Sequence, residues 1–317
     1  MNYTMYHLHS DYSLLDSCTN YKEYIDYAVS LRQKAIAFTE HGKPMGWVAK
    51  KKYCDEKGIK YIHGVECYLT EKLLWDNSEK IRDNYHTILI AKNFKGLLEI
   101  NELISRSTDK DHTYYHNRVS FDEFLQLSNN IITISACLAS PLNKLDINNP
   151  MYEKLVKRYD YLEIQSHNCQ EQKDFNTHLA IMSNKYHKPL IVGTDTHSLN
   201  KYKAECRKIL LKYKDRSYGD EDKYDLTYQT YDELVNAFII QDTLPKNIYL
   251  QAIENTNVMA DSIEDFELDK SLKYPILYGT REKDKEMFHK TIEDKFKHKV
   301  ENNIIYPEQV EAFKSAI

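Results

Sequence analysis

Short apolar runs alternate with amphipathic stretches over the first two hundred residues. Seven runs are rich in β-branched and aromatic residues, as is typical of strands buried on both faces. They cover residues 3–8, 35–39, 59–65, 87–91, 131–135, 161–165 and 190–193. Seven strands alternating with helices predict parallel βαβ units, in a barrel or a doubly wound sheet. In either fold, functional side chains collect at the carboxyl ends of the strands.

The amphipathic stretches between these runs predict helices. Asn20 is placed to cap a helix through YKEYIDYAVSLRQK, and Pro44 and Gly58 are placed to open and end one through WVAKKKYCDEK. Further helices are predicted in FKGLLEINELIS, VSFDEFLQL, PMYEKLVKRY and EQKDFNTHLAIMSNKY. Residues 200–272 are expected to be mainly helical, and a charged helical tail is expected to follow them.

Composition excludes several classes of protein. No apolar run is long enough to span a bilayer, and the first residues lack the profile of a signal peptide. The six cysteines form no CxxC pair, which indicates reduced thiols and a cytoplasmic protein with no membrane partner. The formal net charge of −5 provides no overall basic field for nucleic acid. A nucleic-acid substrate would therefore be held locally, by a metal cluster or a partner protein.

Metal-ligand residue types follow five of the seven predicted strands. His7 and His9 come at the end of the first, and residues two apart in an extended chain face the same side. The others are Glu40 and His41 after the second strand, Glu66 after the third, Cys137 after the fifth, and Asp195 and His197 after the seventh. Taken singly, Glu66 also fits an exposed edge and Cys137 a small core residue. Together they exceed one tetrahedral ion, which predicts a cluster of two or three metals.

Several ordered motifs resemble one known family. The segments HLHSDYSLLDS, AIAFTEHGKPMGWVAKKKYCDEKGIKYIHGVECYLT, HTILIAKN, ISACLAS, YLEIQSH and VGTDTHS resemble the PHP (polymerase and histidinol phosphatase) domain. The resemblance is closest to the branch at the N-terminus of bacterial DNA polymerase III alpha subunits. Beyond residue 200, YKAECRKILLKY and YDELVNAFIIQDTLPKNIYLQAIENTNVMADSI resemble the helical continuation of those subunits.

This resemblance implies a distorted (β/α)7 barrel with a helical C-terminal extension. The implied domains are a metal-binding barrel at 1–200, a helical extension packed on it at 201–272, and a charged helical tail at 273–317 that resembles the start of a polymerase region. It also implies nine ligands to two or three divalent ions, expected to be Zn, Mn or Fe. These ligands are His7, His9, Asp16, His41, Glu66, His86, Cys137, Asp195 and His197.

Asp16 and His86 enter this set only through the resemblance. Asp16 lies in a loop-like stretch, and His86 opens an apolar run instead of ending one. The implied grouping places the first ion between His7, His9, Glu66 and Asp195. A second ion shares Glu66 and takes His86 and Cys137, and a third takes Asp16, His41 and His197. Glu66 and Asp195 are the expected catalytic residues, holding a metal-bridged hydroxide as the nucleophile.

Three more residues are expected to support the site. Glu40 would orient His41 without binding metal. Arg118 and His167 are expected at the rim, where Arg118 would bind a phosphate oxygen. Alternatively, Arg118 and His167 are surface residues in ordinary loops with no role in the site.

The expected function is metal-dependent phosphoester hydrolysis, most narrowly a 3′–5′ exonuclease acting on DNA 3′ ends. One alternative is a non-catalytic scaffold in a split or truncated polymerase III alpha subunit, in contact with other replisome subunits. Another is a small-molecule phosphatase of the histidinol-phosphate type. No polymerase activity is expected from this chain, because the resemblance ends before the nucleotide-binding carboxylates of a polymerase.

Overall fold

Every predicted apolar run forms β structure in the computed structural model, which describes residues 2–73, 82–213 and 224–315. The first run contributes single bridges, Met5 to Ile36 and Leu8 to Thr196. The named strands are β1 Ala35–Phe38, β2 Lys60–Thr70, β3 Tyr85–Ala91, β4 Thr113–Tyr114, β5 His116–Ser120, β6 Ile131–Ile134, β7 Leu162–Ile164 and β8 Leu190–Val192. The predictions had not included β4 and β5.

Helices fill the connections and the C-terminal part of the chain. They are α1 Tyr21–Ser30, α2 Trp47–Lys57, α3 Phe94–Arg106, α4 Phe121–Leu125, α5 Pro141–Lys144, α6 Pro150–Arg158, α7 Gln170–Tyr186, α8 Lys201–Tyr213, α9 Tyr231–Gln241, α10 Lys246–Asp261, α11 Arg281–Glu301 and α12 Val310–Lys314. A 3₁₀ turn, Pro307–Gln309, precedes α12. The predicted class, mixed α/β with a helical C-terminal part, is therefore confirmed.

The strands join into a ring. Ladders pair β1 with β2, β2 with β3, β3 with β6, and β7 with β8. Single bridges complete the path, because Ile134 pairs with Tyr161, and the N-terminal segment pairs with β1 on one side and Thr196 on the other. Seven segments thus follow one another around the ring, and three of its joints consist of a single bridge.

Strand β3 corrects the prediction of uniformly parallel strands. It runs antiparallel to both β2 and β6, whereas the other pairings in the ring are parallel. The sequence between β2 and β3 contains no predicted helix, and strands joined without a crossover helix pair antiparallel. The amino end of β3 therefore lies beside the carboxyl end of β2, where His86 pairs with Tyr68.

Local capping explains where the first helices begin. Asn20 and Glu23 form a capping box at α1, as the sequence predicts. The prediction that Pro44 opens α2 is wrong, because the helix begins after Gly46, whose φ is +69°. A Cβ at Gly46 would lie 2.5 Å from the ring of Tyr12. The positive φ and this close approach both require glycine, so Gly46 determines the start.

Helix α10 forms hydrogen bonds with three segments of the ring. Asn255 donates to the carbonyl of Leu190 in β8 at 2.6 Å, and Lys60 of β2 donates to the carbonyl of Ala260 at 2.8 Å. The backbone N–H of Thr4 donates to Thr256 Oγ1 at 3.0 Å. One helix therefore holds the N-terminal segment, β2 and β8.

The chain forms two compact units, residues 1–266 and 267–317. The second unit contains α11, whose described side chains are mostly exposed, and α12. The domain boundaries at 200 and 272 remain predictions. Among the described residues, no helix is long and apolar enough to cross a membrane.

We expect Gly96→Ala to destabilise the fold, although alanine normally stabilises helices. A Cβ at Gly96 in α3 would lie 2.2 Å from the carbonyl oxygen of Asn130, which precedes β6. The added methyl group would push α3 away from the backbone of Asn130, which should lower the free energy of unfolding by about 1–3 kcal/mol. Urea unfolding measures this, with the exposed Ser105→Ala in the same helix as the control. Equal stability of the two variants would contradict the packing described here.

Candidate metal centre

The predicted ligands converge at one end of the ring. His7 and His9 flank Leu8, whose fully buried side chain turns the other way into the core. The N–H of His9 donates to the carbonyl of Thr196 at 2.8 Å, and the N–H of Thr196 donates to the carbonyl of His7 at 3.0 Å. The first segment is thereby aligned with the loop that carries Asp195.

Glu66 lies at the centre of this group. Its side chain is fully buried, and four histidines surround its two carboxylate oxygens. Oε1 is 2.8 Å from His86 Nδ1 and 3.6 Å from His7 Nε2. Oε2 is 3.0 Å from His41 Nδ1 and 3.2 Å from His9 Nε2. One carboxylate is therefore placed to share its oxygens between two ions.

Asp195 completes a second face of the centre. Its Oδ1 lies 3.1 Å from His7 Nε2, 3.5 Å from His9 Nε2 and 3.7 Å from His197 Nδ1. The φ angle of Asp195 is +45°, a left-handed conformation that is uncommon outside glycine, asparagine and aspartate. This backbone turn immediately follows β8 and directs the carboxylate toward the histidines.

Asp16, expected only from the family resemblance, lies beside two of the histidines. Its Oδ2 is 2.8 Å from His41 Nε2 and 2.9 Å from His197 Nε2. Its other oxygen accepts a hydrogen bond from Arg207 of α8, which also donates to the Asp16 carbonyl. Arg207 thus fixes the carboxylate and leaves Oδ2 facing the histidines.

Cys137 lies at the edge of the cluster, with Sγ 3.6 Å from His86 Nδ1. Three groups of donor atoms lie close enough to hold an ion: His7, His9, Glu66 and Asp195; His41, Glu66 and His86; His9, His41 and His197. The first coincides with the predicted first ion. In the second, His41 stands where Cys137 was predicted, and in the third, His9 stands where Asp16 was predicted. The assignment of ligands to individual ions stays a prediction.

Divalent cations fit these side chains. Within the described ranges, the buried His7 Nε2, His9 Nε2, His41 Nδ1 and both Glu66 oxygens make no well-aligned hydrogen bond, although they lie 3.0–3.6 Å from one another. Buried polar atoms without well-aligned hydrogen bonds raise the free energy of the folded protein, and here these atoms surround the same small space. Imidazole nitrogens and carboxylate oxygens are ligands of Zn, Mn and Fe. The cluster is therefore able to bind metal.

The charges in the cluster shift its pKa values strongly. Burial alone would raise the pKa of Glu66, but the charges of His86 and His41 bring it well below its usual value. Burial would lower the pKa of His7, but the charges of Glu163 and Asp195 raise it well above its usual value. Without metal, protons on histidines compensate the carboxylates.

Glu163 is a functional residue that the sequence analysis missed. It lies fully buried in β7, and its Oε1 is 2.7 Å from His7 Nδ1. Tyr6 and Gln165 also donate to its carboxylate, at 2.8 and 2.7 Å. A Cβ at Gly193 would lie 2.2 Å from this carboxylate, so glycine there leaves room for it. Glu163 accepts the Nδ1 proton of His7 and leaves Nε2 directed at the metal centre.

Glu40 orients a different histidine from the one expected. Its carboxylate binds Lys50 at 2.5 Å and accepts a hydrogen bond from Ser13 Oγ at 2.5 Å. Ser13 Oγ lies 3.1 Å from His9 Nδ1 and accepts a hydrogen bond from the backbone N–H of His41 at 3.2 Å. Glu40 therefore acts on the His9 ring through Ser13, and on His41 only through its backbone.

The two residues expected at the rim have different positions. Arg118 does not line the cleft: it is buried and donates to the carbonyl of Asp83 at 3.2 Å. His167 does line the cleft above the metal centre, with its ring 4.8 Å from that of Tyr224. Burial lowers the pKa of His167 to about 4, so its imidazole is neutral.

The metal centre opens into a cleft of about 950 Å³. Asp16, His41, His86, Cys137, Asp195 and His197 form part of its wall. Lys43 and Lys144 contribute cations, and Tyr115 and His116 contribute exposed aromatic rings. The cleft therefore offers access to the cluster for a substrate larger than a single phosphate group.

Comparison with protein families gives a match to the PHP domain over residues 5–168. The chain is 29% identical over 279 residues to a DNA polymerase III subunit alpha of Borreliella burgdorferi, covering 83% of this chain and 24% of the relative. It is 31% identical over 223 residues to the Treponema pallidum subunit, covering 67% and 19%. The chain thus spans a quarter or less of the length of these relatives.

Two solved structures resemble the fold at 14% identity. One is an amidohydrolase from Chromobacterium violaceum with bound sulfate and no metal, with a TM-score of 0.41, covering 61% of this chain and 87% of that one. The other is an Endonuclease Q complex with a 27-mer duplex containing an abasic lesion, with a TM-score of 0.42, covering 66% and 56%. Similarity at this level carries no argument about the reaction.

We expect Glu163→Gln to weaken metal binding about 10- to 100-fold, because a neutral amide no longer holds the His7 proton at Nδ1 as firmly. Calorimetric titration of the metal-free protein with Mn or Zn measures the change. The control is Glu171→Gln, which removes an exposed carboxylate from the same cleft. If the two variants bind metal equally well, Glu163 does not position His7.

Metal loading at pH 7 should release about one proton or more per protein. The carboxylates raise the pKa of His7, so its imidazole carries a proton that a metal must displace. Metal affinity should accordingly fall as the pH is lowered. Titration in buffers of different ionisation enthalpy measures the release, which should be smaller in Glu163→Gln. Heats that do not depend on the buffer would argue against protonated histidines.

Proposed function

This chain belongs to the PHP domain family of metal-dependent phosphoesterases, and we propose that it is a nuclease that removes nucleotides from DNA 3′ ends. The supporting observation is the convergence of buried, unpartnered donor atoms on His7, His9, His41 and Glu66. Such an arrangement is costly in a purely structural protein but suits a centre that binds divalent ions.

The protein's own residues prepare this centre. Glu163 and Ser13 accept hydrogen bonds from Nδ1 of His7 and of His9, which leaves Nε2 of each ring directed at the metal centre. Glu66 and Asp195 place carboxylate oxygens between those nitrogens. The donors are thus held in orientation before any ion or substrate binds.

When bound, divalent ions supply Lewis-acid stabilisation of phosphate oxygens and lower the pKa of coordinated water to about 7. The donor set favours Zn, Mn or Fe over Mg, because it is rich in imidazole. Two or three such ions are proposed. His7, His9 and Glu66 are fully buried, and burial strengthens electrostatic interactions among them.

DNA is the proposed substrate because the relatives are polymerase III alpha subunits. Those subunits are about four to five times longer than the matched region, so their activity and partners are proposals here. Because the net charge of −5 provides no overall attraction for DNA, phosphates would have to be bound by local cations. Lys43 and Lys144 of the cleft are such cations. Other replisome subunits are the proposed partners, and no polymerase activity is proposed for this chain.

We expect purified protein in Mn or Zn to remove nucleotides from the 3′ end of single-stranded DNA. Substrates labelled at the 5′ or 3′ end distinguish the direction of cleavage, and EDTA should abolish it. Asp195→Asn and His9→Ala should each lower the rate by about 100-fold or more, because each removes a donor from the same group.

Asp174→Asn, at an exposed carboxylate on α7, is the charge-matched control and should keep the wild-type rate. Full activity in Asp195→Asn would exclude the proposed centre. Hydrolysis of a generic phosphomonoester alone would place the protein among small-molecule phosphatases. Bound metal without turnover of any substrate would favour a scaffold.

A further inference from the structure

A series of aromatic rings leads outward from the metal centre. The ring of His41 lies parallel to that of Tyr68, with 6.0 Å between centroids and 12° between planes. Tyr68 is in turn 4.8 Å from the ring of His116. His116 follows Tyr115, whose side chain is 81% exposed and lines the cleft. The rings thus connect the proposed reaction centre to an exposed aromatic hairpin.

That hairpin, formed by β4 and β5, is fixed against the loop after β1. Asn117 donates to the carbonyl of Gly42 at 2.7 Å and to Ser107 Oγ at 3.0 Å. A Cβ at Gly42 would lie 2.8 Å from Asn117 Oδ1, so the two segments approach closely. The hairpin therefore presents Tyr115 at a defined place beside the cleft.

Folding alone does not account for a tyrosine at this tip. Tyr115 has a φ of +59°, which glycine or asparagine adopts at lower cost than an aromatic residue. Its ring is largely exposed to water and contributes little to the core. A bulky ring at a strained, solvent-facing turn is better explained by a ligand that stacks on it.

The charges of the cleft identify the ligand class. Lys43 and Lys144 line the same cleft as Tyr115. The Lys144 ammonium is 3.3 Å from Glu171, whereas across the described ranges no carboxylate lies within ion-pair distance of the Lys43 ammonium. Exposed aromatic rings combined with cations are the means by which proteins hold single-stranded nucleic acid, stacking the bases and pairing the phosphates.

We propose that Tyr115 and His116 form a nucleobase subsite, which holds a base of a single-stranded DNA end while the backbone enters the metal centre. The inference rests on the proposed function and deepens it by naming an unpaired base as the recognised group. Tyr68 is a positioning residue, because its ring supports His116 from the side of the metal centre.

The test measures binding, so that it does not depend on turnover. Short fluorescein-labelled oligonucleotides are titrated in Mn, with phosphorothioate linkages at the 3′ end to slow hydrolysis, and binding is followed by anisotropy. One set carries normal bases at the last three positions and the other carries abasic residues there. Tyr115→Ala should weaken binding of the first set about 5- to 100-fold and leave the second unchanged.

Tyr115→Phe keeps the stacking surface and should bind like the wild type. Tyr202→Ala removes an exposed tyrosine of α8 that lies outside the cleft wall and should also bind normally. Equal binding of the normal and abasic sets by the wild type would overturn the subsite. So would equal losses on both sets in Tyr115→Ala.

The failure of this inference is distinguishable from the failure of the proposed function. Base-dependent binding that requires Tyr115, in a protein that hydrolyses no DNA, would support the subsite and reject the nuclease. Metal-dependent hydrolysis of DNA with no base dependence of binding would support the nuclease and reject the subsite.

Discussion

The burial of the Glu66 carboxylate is the constraint on which the rest of the site depends. Four histidine nitrogens lie 2.8–3.6 Å from its two oxygens. The ring of His9 lies 4.2 Å from that of His41 and 4.3 Å from that of His197, and burial together with these neighbours lowers the pKa of His9. A divalent ion would balance the charge of the carboxylate without adding protons to closely spaced histidine rings.

Sequence periodicity was sufficient to predict the ring strands, because each is an apolar run with a distinct end. The same reasoning placed donors at the carboxyl ends of strands and could not have placed His86, which opens its run. The antiparallel direction of β3 resolves this, since it brings the amino end of β3 beside the carboxyl end of β2. The absence of a predicted helix between β2 and β3 was the signal for this direction, because strands joined without a crossover helix pair antiparallel.

The residues that support the donors were harder to predict, for two different reasons. Glu163 carried a usable signal, since it interrupts an apolar strand as Glu66 does, and only Glu66 was singled out. Ser13 and Arg207 carried none, because the carboxylates of Glu40 and Asp16 that they bind are 27 and 191 positions away in the chain. The placement of Arg118 failed similarly, because it depends on a hydrogen bond to Asp83, 35 positions away.

The metal centre lies at one of the joints of the ring that consist of a single bridge. The N-terminal segment meets the last part of the ring through a single bridge, Leu8 to Thr196, with two backbone hydrogen bonds. The residues on either side of that bridge are donors: His7 and His9 on one strand, Asp195 and His197 on the other. The match to the PHP domain ends at residue 168, before Asp195, His197 and Arg207. An ion held by donors from both sides would join the two ends of the ring, and its binding energy would then add to the stability of the closed form. The donors on the second side of this joint therefore come from the chain beyond that match.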